Sequence, residues 1–237
     1  MLANATTDGI DTLDWHDLRA QLDRQGFALT PQLLGDAECD ALARLFDDGR
    51  FRSTIDMARH RFGDGRYRYF DHPLPETIRT LRAGFYRQLA PVGNEWESRL
   101  GGSGDEYPPE HEELLARCRT AGQERPTPLM LRYGEATGTP STRTCTGTSF
   151  PFQVVTILSE PGVDFEGGEF VLVEQRPRAQ SRAHVLEPGR GAFVIFPTRQ
   201  RPQAGKRGYH RVGLRHGVST ITSGSRTALG IIFHDSA

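Results

Sequence analysis

From residue 208 to residue 237 the chain reads GYHRVGLRHGVSTITSGSRTALGIIFHDSA. Two strand-like runs, 209–219 and 226–235, are rich in Val, Leu, Ile and aromatic residues. Thr222, Ser223, Gly224 and Ser225 part them, and such residues favour a turn. Working back toward the N-terminus, the same signature recurs from residue 126. LMLRYG, FPFQVVTILSE, GGEFVLVEQ and GAFVIFP are short apolar runs, divided by the turn-rich EPGVDFEGG, EPGRG and TRQRPQAGKRG. Strands at this spacing predict a β-sandwich or jelly roll.

Upstream of residue 126 the apolar spacing lengthens toward 3.6. Helices are predicted at 14–25 and 36–46, the second with Leu42, Leu45 and Phe46 on one side and Asp36 as its N-cap. Residues 26–29 form a short strand between them. The stretch 51–75 mixes bases, aromatics and turn residues, and reads as strand and loop with a turn at Gly63, Asp64 and Gly65. Pro75 opens a long helix to about Leu100, with Ile78, Leu81, Phe85, Leu89 and Trp96 along one side. Gly101 and Gly102 break it, and a further helix covers 110–120. The expected class is α+β. A mainly helical region, 1–125, packs on a β core, 126–237, as one integrated domain.

Composition bounds the function. With 29 basic and 30 acidic residues, nothing global demands a polyanionic partner. No apolar run approaches the ~20 residues of a membrane span, and the first residues lack the pattern of a secretory signal. Cys39, Cys118 and Cys145 are scattered and odd in number, which argues against a disulfide framework. A cytoplasmic location is the expectation.

Several long motifs, GGEFVLVEQRPRAQSR, GYHRVGLRHGVS, SRTALGIIFHDSA, IDMARHRFGDGRYRYF and ARCRTAGQERPTPLMLRYG, resemble a bacterial family of 2-oxoglutarate and Fe(II)-dependent oxygenases. That family is similar to the prolyl-hydroxylase-like branch of the superfamily. The resemblance runs from about Gly26 to the end. It implies a double-stranded β-helix, a cupin-like jelly roll, with Fe(II), 2-oxoglutarate and O2 as cofactor and co-substrates. In such enzymes two His and one carboxylate hold the metal on one face. An Arg clamps the far carboxylate of 2-oxoglutarate, to which its planar fork of donors is suited. By this resemblance His216 matches the distal metal-binding His and Arg226 the clamp, facing one cavity from two adjacent strands.

The family's His-x-Asp pair should fall at positions 142 and 144, where this chain has Thr142 and Thr144 flanking Arg143. Six of the twelve residues from 137 to 148 are Thr. Threonine hydroxyls are poor replacements for imidazole and carboxylate. A cause suggests itself in the genetic code. Every Thr codon is ACN, and read one base earlier each becomes NAC, which encodes Tyr, His, Asn or Asp. With AGG for Arg143 and TGT for Cys145, the run 141–147 can be reread as Phe-His-Gln-Asp-Leu-Tyr-Gly. The reading is a local frameshift confined to about 136–149; a genuine Thr-rich loop in a degenerate family member is the alternative.

Other candidates carry plainer readings. His210 lies six residues before His216 and reads as a polar strand residue rather than a substitute ligand. His60 and His72 sit on loop-like segments and His234 at the C-terminal end; all three read as structural, with a substrate-side role open for His60. Glu169 reads as a turn flank. Arg176, Arg178 and Arg182, and Arg59, Arg61, Arg66 and Arg68 among Tyr67, Tyr69 and Phe70, could track phosphates or stack bases, although charge runs are usually solvated surface. The expected function is a dioxygenase scaffold oxidising an unknown substrate (small molecule, protein side chain or nucleic acid), its metal site disrupted. The alternative is a catalytically inactive jelly roll that binds a ligand or partner.

Overall fold

The computed structural model describes residues 9–57, 65–102, 105–135, 148–175 and 180–237. The first half supplies the helices α1 (Trp15–Gln25), α2 (Asp36–Asp48), α3 (Glu76–Arg99) and α4 (His111–Thr120). The Asp14 side chain caps α1 by accepting from the Asp17 N–H at 3.0 Å. For α2 the N-cap is Gly35, not Asp36. The Glu38 carboxylate reaches back to accept from the Gly35 N–H at 2.9 Å, and Asp36 is the first helical residue. In α3 the predicted stripe of Ile78, Leu81, Phe85, Leu89 and Trp96 is buried. Each such side chain contributes about 1.5–3 kcal/mol of apolar burial. None of the described helices is long and apolar enough to cross a membrane.

The strands are β1 (Ala28–Gln32), β2 (Phe51–Asp56), β3 (Gly65–Phe70), β4 (Leu129–Tyr133), β5 (Phe152–Ile157), β6 (Phe165–Gly167) and β7 (Phe170–Gln175). They continue with β8 (Arg182–Leu186), β9 (Ala192–Pro197), β10 (Gln200–Gly205), β11 (Gly208–Val218), β12 (Ile221–Gly224) and β13 (Arg226–Ile232). Seven form one antiparallel sheet in the order β1-β9-β5-β13-β4-β3-β2. A four-stranded sheet runs β10-β11-β7-β8, and β12 pairs with β6. The first 125 residues thus supply three strands of the main sheet besides the helices.

Strand alternation sorts the main sheet into two faces. Met130, Val154, Phe193, Ile195, Leu229 and Ile231 join the helices in one core cluster. On the other face Val194 and Phe196 pack against Phe170, Leu172, Val212 and Leu214 of the four-stranded sheet. The two sheets therefore face each other, and the space left between them is where the candidate site lies.

A buried ion pair closes part of this inter-sheet layer. Arg201 of β10 donates to Glu174 of β7 at 3.1 Å, both side chains 2% exposed or less. His184 stands 3.8 Å from the same carboxylate. Gly26, which ends α1 at φ 84°, lies so close that a Cβ there would come within 2.3 Å of the Arg201 Cδ. Only glycine serves both the left-handed helix end and that approach.

Candidate functional site

β13 lies at the centre of the main sheet. Its inward residues are Arg226, Ala228, Gly230 and Ile232, all of which line a cavity of about 90 Å³ between the sheets. Cross-strand register puts Tyr133 beside Arg226, and Tyr67 and Leu131 in the row of Ala228. Small side chains at 228 and 230 leave a trough running along the strand from the Arg226 guanidinium. His216 enters the same cavity from β11. It does so from the opposite sheet, not from a strand adjacent to β13, which corrects the arrangement expected from the sequence. The pattern of alternation told which face each residue takes; it could not tell which sheet.

Arg226 is 1% exposed, and its Nε and Nη2 have no hydrogen-bond partner among the described residues. Burial pushes the guanidinium down to about 10, with Tyr133 pulling the other way. The Phe165 ring stands 5.9 Å from its carbon. Gly168, at φ 68°, lets the side chain pass; a Cβ there would come within 3.0 Å of Cδ. Among the described residues two other arginines are nearly as deeply buried, and each has a carboxylate partner, although the Arg201 Nε is itself unbonded. Arg82 donates to Asp235 at 2.7 Å and to two backbone carbonyls, and Arg201 has Glu174. An unpaired buried cation costs several kcal/mol. Such a group marks a site built for something that arrives from outside. Nε–H and Nη2–H lie along one edge of the guanidinium, at the spacing of a carboxylate's two oxygens.

His216 is half-buried, stacked on Phe170 at 6.1 Å and edge-on to Phe196 at 4.8 Å. Desolvation pushes it down to about 4, so the ring is neutral at pH 7 and able to offer a nitrogen lone pair. Above the trough, the Tyr67 and Tyr133 rings meet edge-to-face at 6.0 Å. Burial raises Tyr67, while its hydrogen bond with Tyr133 acts against that.

Positions Thr142 and Thr144, with His60, Arg59, Arg61, Arg176 and Arg178, lie outside the described residues. Among the described residues no group of three or more His, Cys, Asp and Glu side chains could hold a metal ion. His216 is the one candidate donor in the cavity, and neither Thr142 nor Thr144 brings an imidazole or carboxylate. The described residues fit a dicarboxylate at Arg226, and they bring one of the three donors that iron needs.

The remaining candidates fall elsewhere. His210 is exposed on β11 and pairs with Gln203, away from the cavity. His72 is exposed in a loop. His234 is buried and its Nδ1 accepts from the Phe150 N–H at 3.1 Å. Glu169 accepts from the Ser219 hydroxyl at the junction of β6 and β7. On β3 the bases and aromatics part company. Tyr67 and Tyr69 face the cavity, while Arg68 lies over the Phe51 and Phe46 rings on the other side. Sequence reasoning passed over Tyr67, Tyr133 and Gln153 as cavity residues. The available signal was the alternation of Leu129, Leu131 and Tyr133, and of Arg226, Ala228 and Gly230.

Comparison with known proteins agrees with this geometry. Residues 65–236 match the Oxygenase-NA family, described as "Oxygenase, catalysing oxidative methylation of damaged DNA". The Mycobacterium tuberculosis proteins "Uncharacterized protein Rv2227" and "Uncharacterized protein MT2286" are each 44% identical over 169 residues, 71% of this chain and 72% of theirs. Among solved structures, a 2OG-Fe(II) oxygenase family oxidoreductase from Burkholderia pseudomallei aligns over 94% of this chain and 92% of its own, at TM-score 0.56 and 18% identity. A Pseudomonas putida prolyl-4-hydroxylase aligns over 93% and 98%, at 0.56 and 17%. A Trichoplax adhaerens prolyl hydroxylase aligns over 96% and 91%, at 0.59 and 15%. The chain belongs to the Oxygenase-NA family and has the fold of the prolyl-hydroxylase-like 2-oxoglutarate/Fe(II) oxygenases.

Proposed function

We propose that this chain is a 2-oxoglutarate oxygenase scaffold that binds the co-substrate through Arg226 and lacks two of the three ligands for Fe(II). The observation that carries the reading is the orphaned guanidinium. Nε and Nη2 of Arg226 point two parallel donors at no acceptor among the described residues, inside a cavity that His216 also lines. The far carboxylate of 2-oxoglutarate accepts both, and its chain lies in the trough over Ala228 and Gly230. Ile232 and Leu129 supply apolar walls, and Tyr133 stands beside the clamp. The two facing sheets are then the layers of a double-stranded β-helix. His216 is the surviving metal ligand; Thr142 and Thr144 supply no donor of the kind that iron needs.

Damaged DNA is the substrate class that the family's description supports, and the chemistry of that class is oxidation at a base. Cys39 and Cys118, both free and buried, are in keeping with a cytoplasmic protein. A second reading, ligand binding without catalysis, is favoured by Thr142 and Thr144 if those codons are authentic.

Calorimetry with 2-oxoglutarate in excess chelator tests the first half of the proposal. Binding without metal, lost in Arg226→Met, is expected; a requirement for metal sinks it. Succinate release with Fe(II), 2-oxoglutarate and O2 tests the second half, and turnover above a heat-treated control sinks it. The coding DNA across residues 131–153 separates the two readings: AGG at Arg143 supports the frameshift, and CGN rejects it.

A further inference from the structure

The cavity beside Arg226 is small, about 90 Å³, and on the function proposed above 2-oxoglutarate takes it. A substrate needs other space. A second chamber of about 390 Å³ adjoins it, within the size of small-molecule sites, roughly 300–1,000 Å³. Tyr69, Gln153 and Ile232 line both spaces and form the wall between them. Gln153 and Ile232 are direct cross-strand neighbours on β5 and β13. On the cavity's side of this wall stands His216, whose ring abuts Phe196, the β9 neighbour of Gln153.

The chamber's chemistry is that of flat, hydrogen-bonding rings. The Arg52 guanidinium lies over the Tyr69 ring at 4.9 Å, a planar cation–aromatic pair. The Gln153 amide, with both donors and an acceptor, makes no hydrogen bond among the described residues, and Thr198 and Gln200 add polar groups nearby. The rim is basic. Arg199 is exposed at the chamber's edge and leads into the β10–β11 hairpin, where Lys206, Arg207 and Arg211 are exposed. Arg211 donates to the carbonyl of Leu100, itself a chamber residue, at 2.8 Å. Glu97 is the acidic side chain in the lining.

We propose that this chamber is a nucleobase site: an everted base stacks at Tyr69 and Arg52 and is read by Gln153, while its flanking phosphates follow Arg199 and the β10–β11 hairpin. The proposal rests on the nucleic-acid reading above and adds where the base goes. Extrusion of the target is the general need of enzymes that act on a base, and sequence-tolerant stacking with a basic track is how single strands are held.

The test uses a short single-stranded oligonucleotide carrying 2-aminopurine at its centre, and the same strand with an abasic site there. Both are titrated against the full chain, with saturating 2-oxoglutarate and no iron. Anisotropy reports binding and 2-aminopurine emission reports stacking. The base-containing strand is expected to bind about ten-fold more tightly than the abasic one. Tyr69→Leu and Gln153→Ala remove that difference, and Arg207→Ser weakens both strands alike. An unchanged circular dichroism spectrum and a cooperative thermal transition without ligand show that each variant is folded. Equal binding of the two strands overturns the base site but leaves a nucleic-acid partner standing. So does a base preference unmoved by both Tyr69→Leu and Gln153→Ala. Absence of binding by either strand overturns the nucleic-acid reading itself, and a peptide that binds in their place points to a protein substrate.

Discussion

Arginine at three buried positions gives two different energetic outcomes. Arg82 and Arg201 each meet a carboxylate, so their burial is offset by charge-assisted hydrogen bonds. Arg226 meets none among the described residues, so its charge is uncompensated there. Arg226→Met should leave the urea midpoint at pH 7 unchanged or raised, because an apolar side chain of similar length removes a desolvation cost. The same variant should lose stabilisation by 2-oxoglutarate, about 2.7 kcal/mol at a hundredfold excess over Kd. A large fall in the midpoint would mean that the guanidinium is structural. Glu174→Ala should behave in the opposite way, costing about 3–5 kcal/mol by leaving Arg201 buried without its partner. Chemical denaturation measures both, and a Glu174→Ala cost below ~1 kcal/mol would show that water reaches the Arg201 guanidinium.

Among the elements, β13 decides the site, and its two faces do different work. Leu229 and Ile231 belong to the helix-covered core, whereas Arg226, Ala228 and Gly230 shape the trough. Ala228→Leu should fill that trough without touching the clamp. Thermal stabilisation by 2-oxoglutarate should vanish while Arg226 remains in place; undiminished stabilisation would mean that the ligand does not lie along β13. Much of this was legible in the residues. The stripe from Ile78 to Trp96 announced α3, and the apolar runs announced β4, β5, β7, β9, β11 and β13. The sheet to which each strand belongs was not legible, since periodicity specifies faces and not partners. β11 and β13 are close in sequence, yet β12 with its turn carries the chain from one sheet to the other. The α2 cap was misread for a local reason: Glu38 satisfies the Gly35 N–H, a reciprocal bond that composition alone does not order.

For the molecule as a whole, the C-terminal segment is held by the helices through buried polar groups, and this ties stability to pH. Arg82 of α3 binds the carbonyls of Ile232 and Phe233 and the Asp235 carboxylate. His111 of α4 meets the Phe233 carbonyl at 2.8 Å. Gln123 donates to the Asp235 carbonyl and bonds Thr148 through both ends of its amide. His234 accepts from Phe150. Burial, reinforced by the Arg82 charge, pushes His111 down to about 3 and His234 down to about 4. In the unfolded chain both return to an ordinary value near 6.5. The unfolded state therefore binds more protons below pH 6.5, and stability falls as pH drops from 6.5 toward 4. With His216, likewise pushed down to about 4, three histidines give a limiting slope of about 4.1 kcal/mol per pH unit. Urea midpoints measured between pH 7 and pH 5 should show that decline, and His111→Gln should lower its slope by about a third. A midpoint that stays flat over this range would mean that the latch opens to water, and that the C-terminal segment is not held shut by the helices.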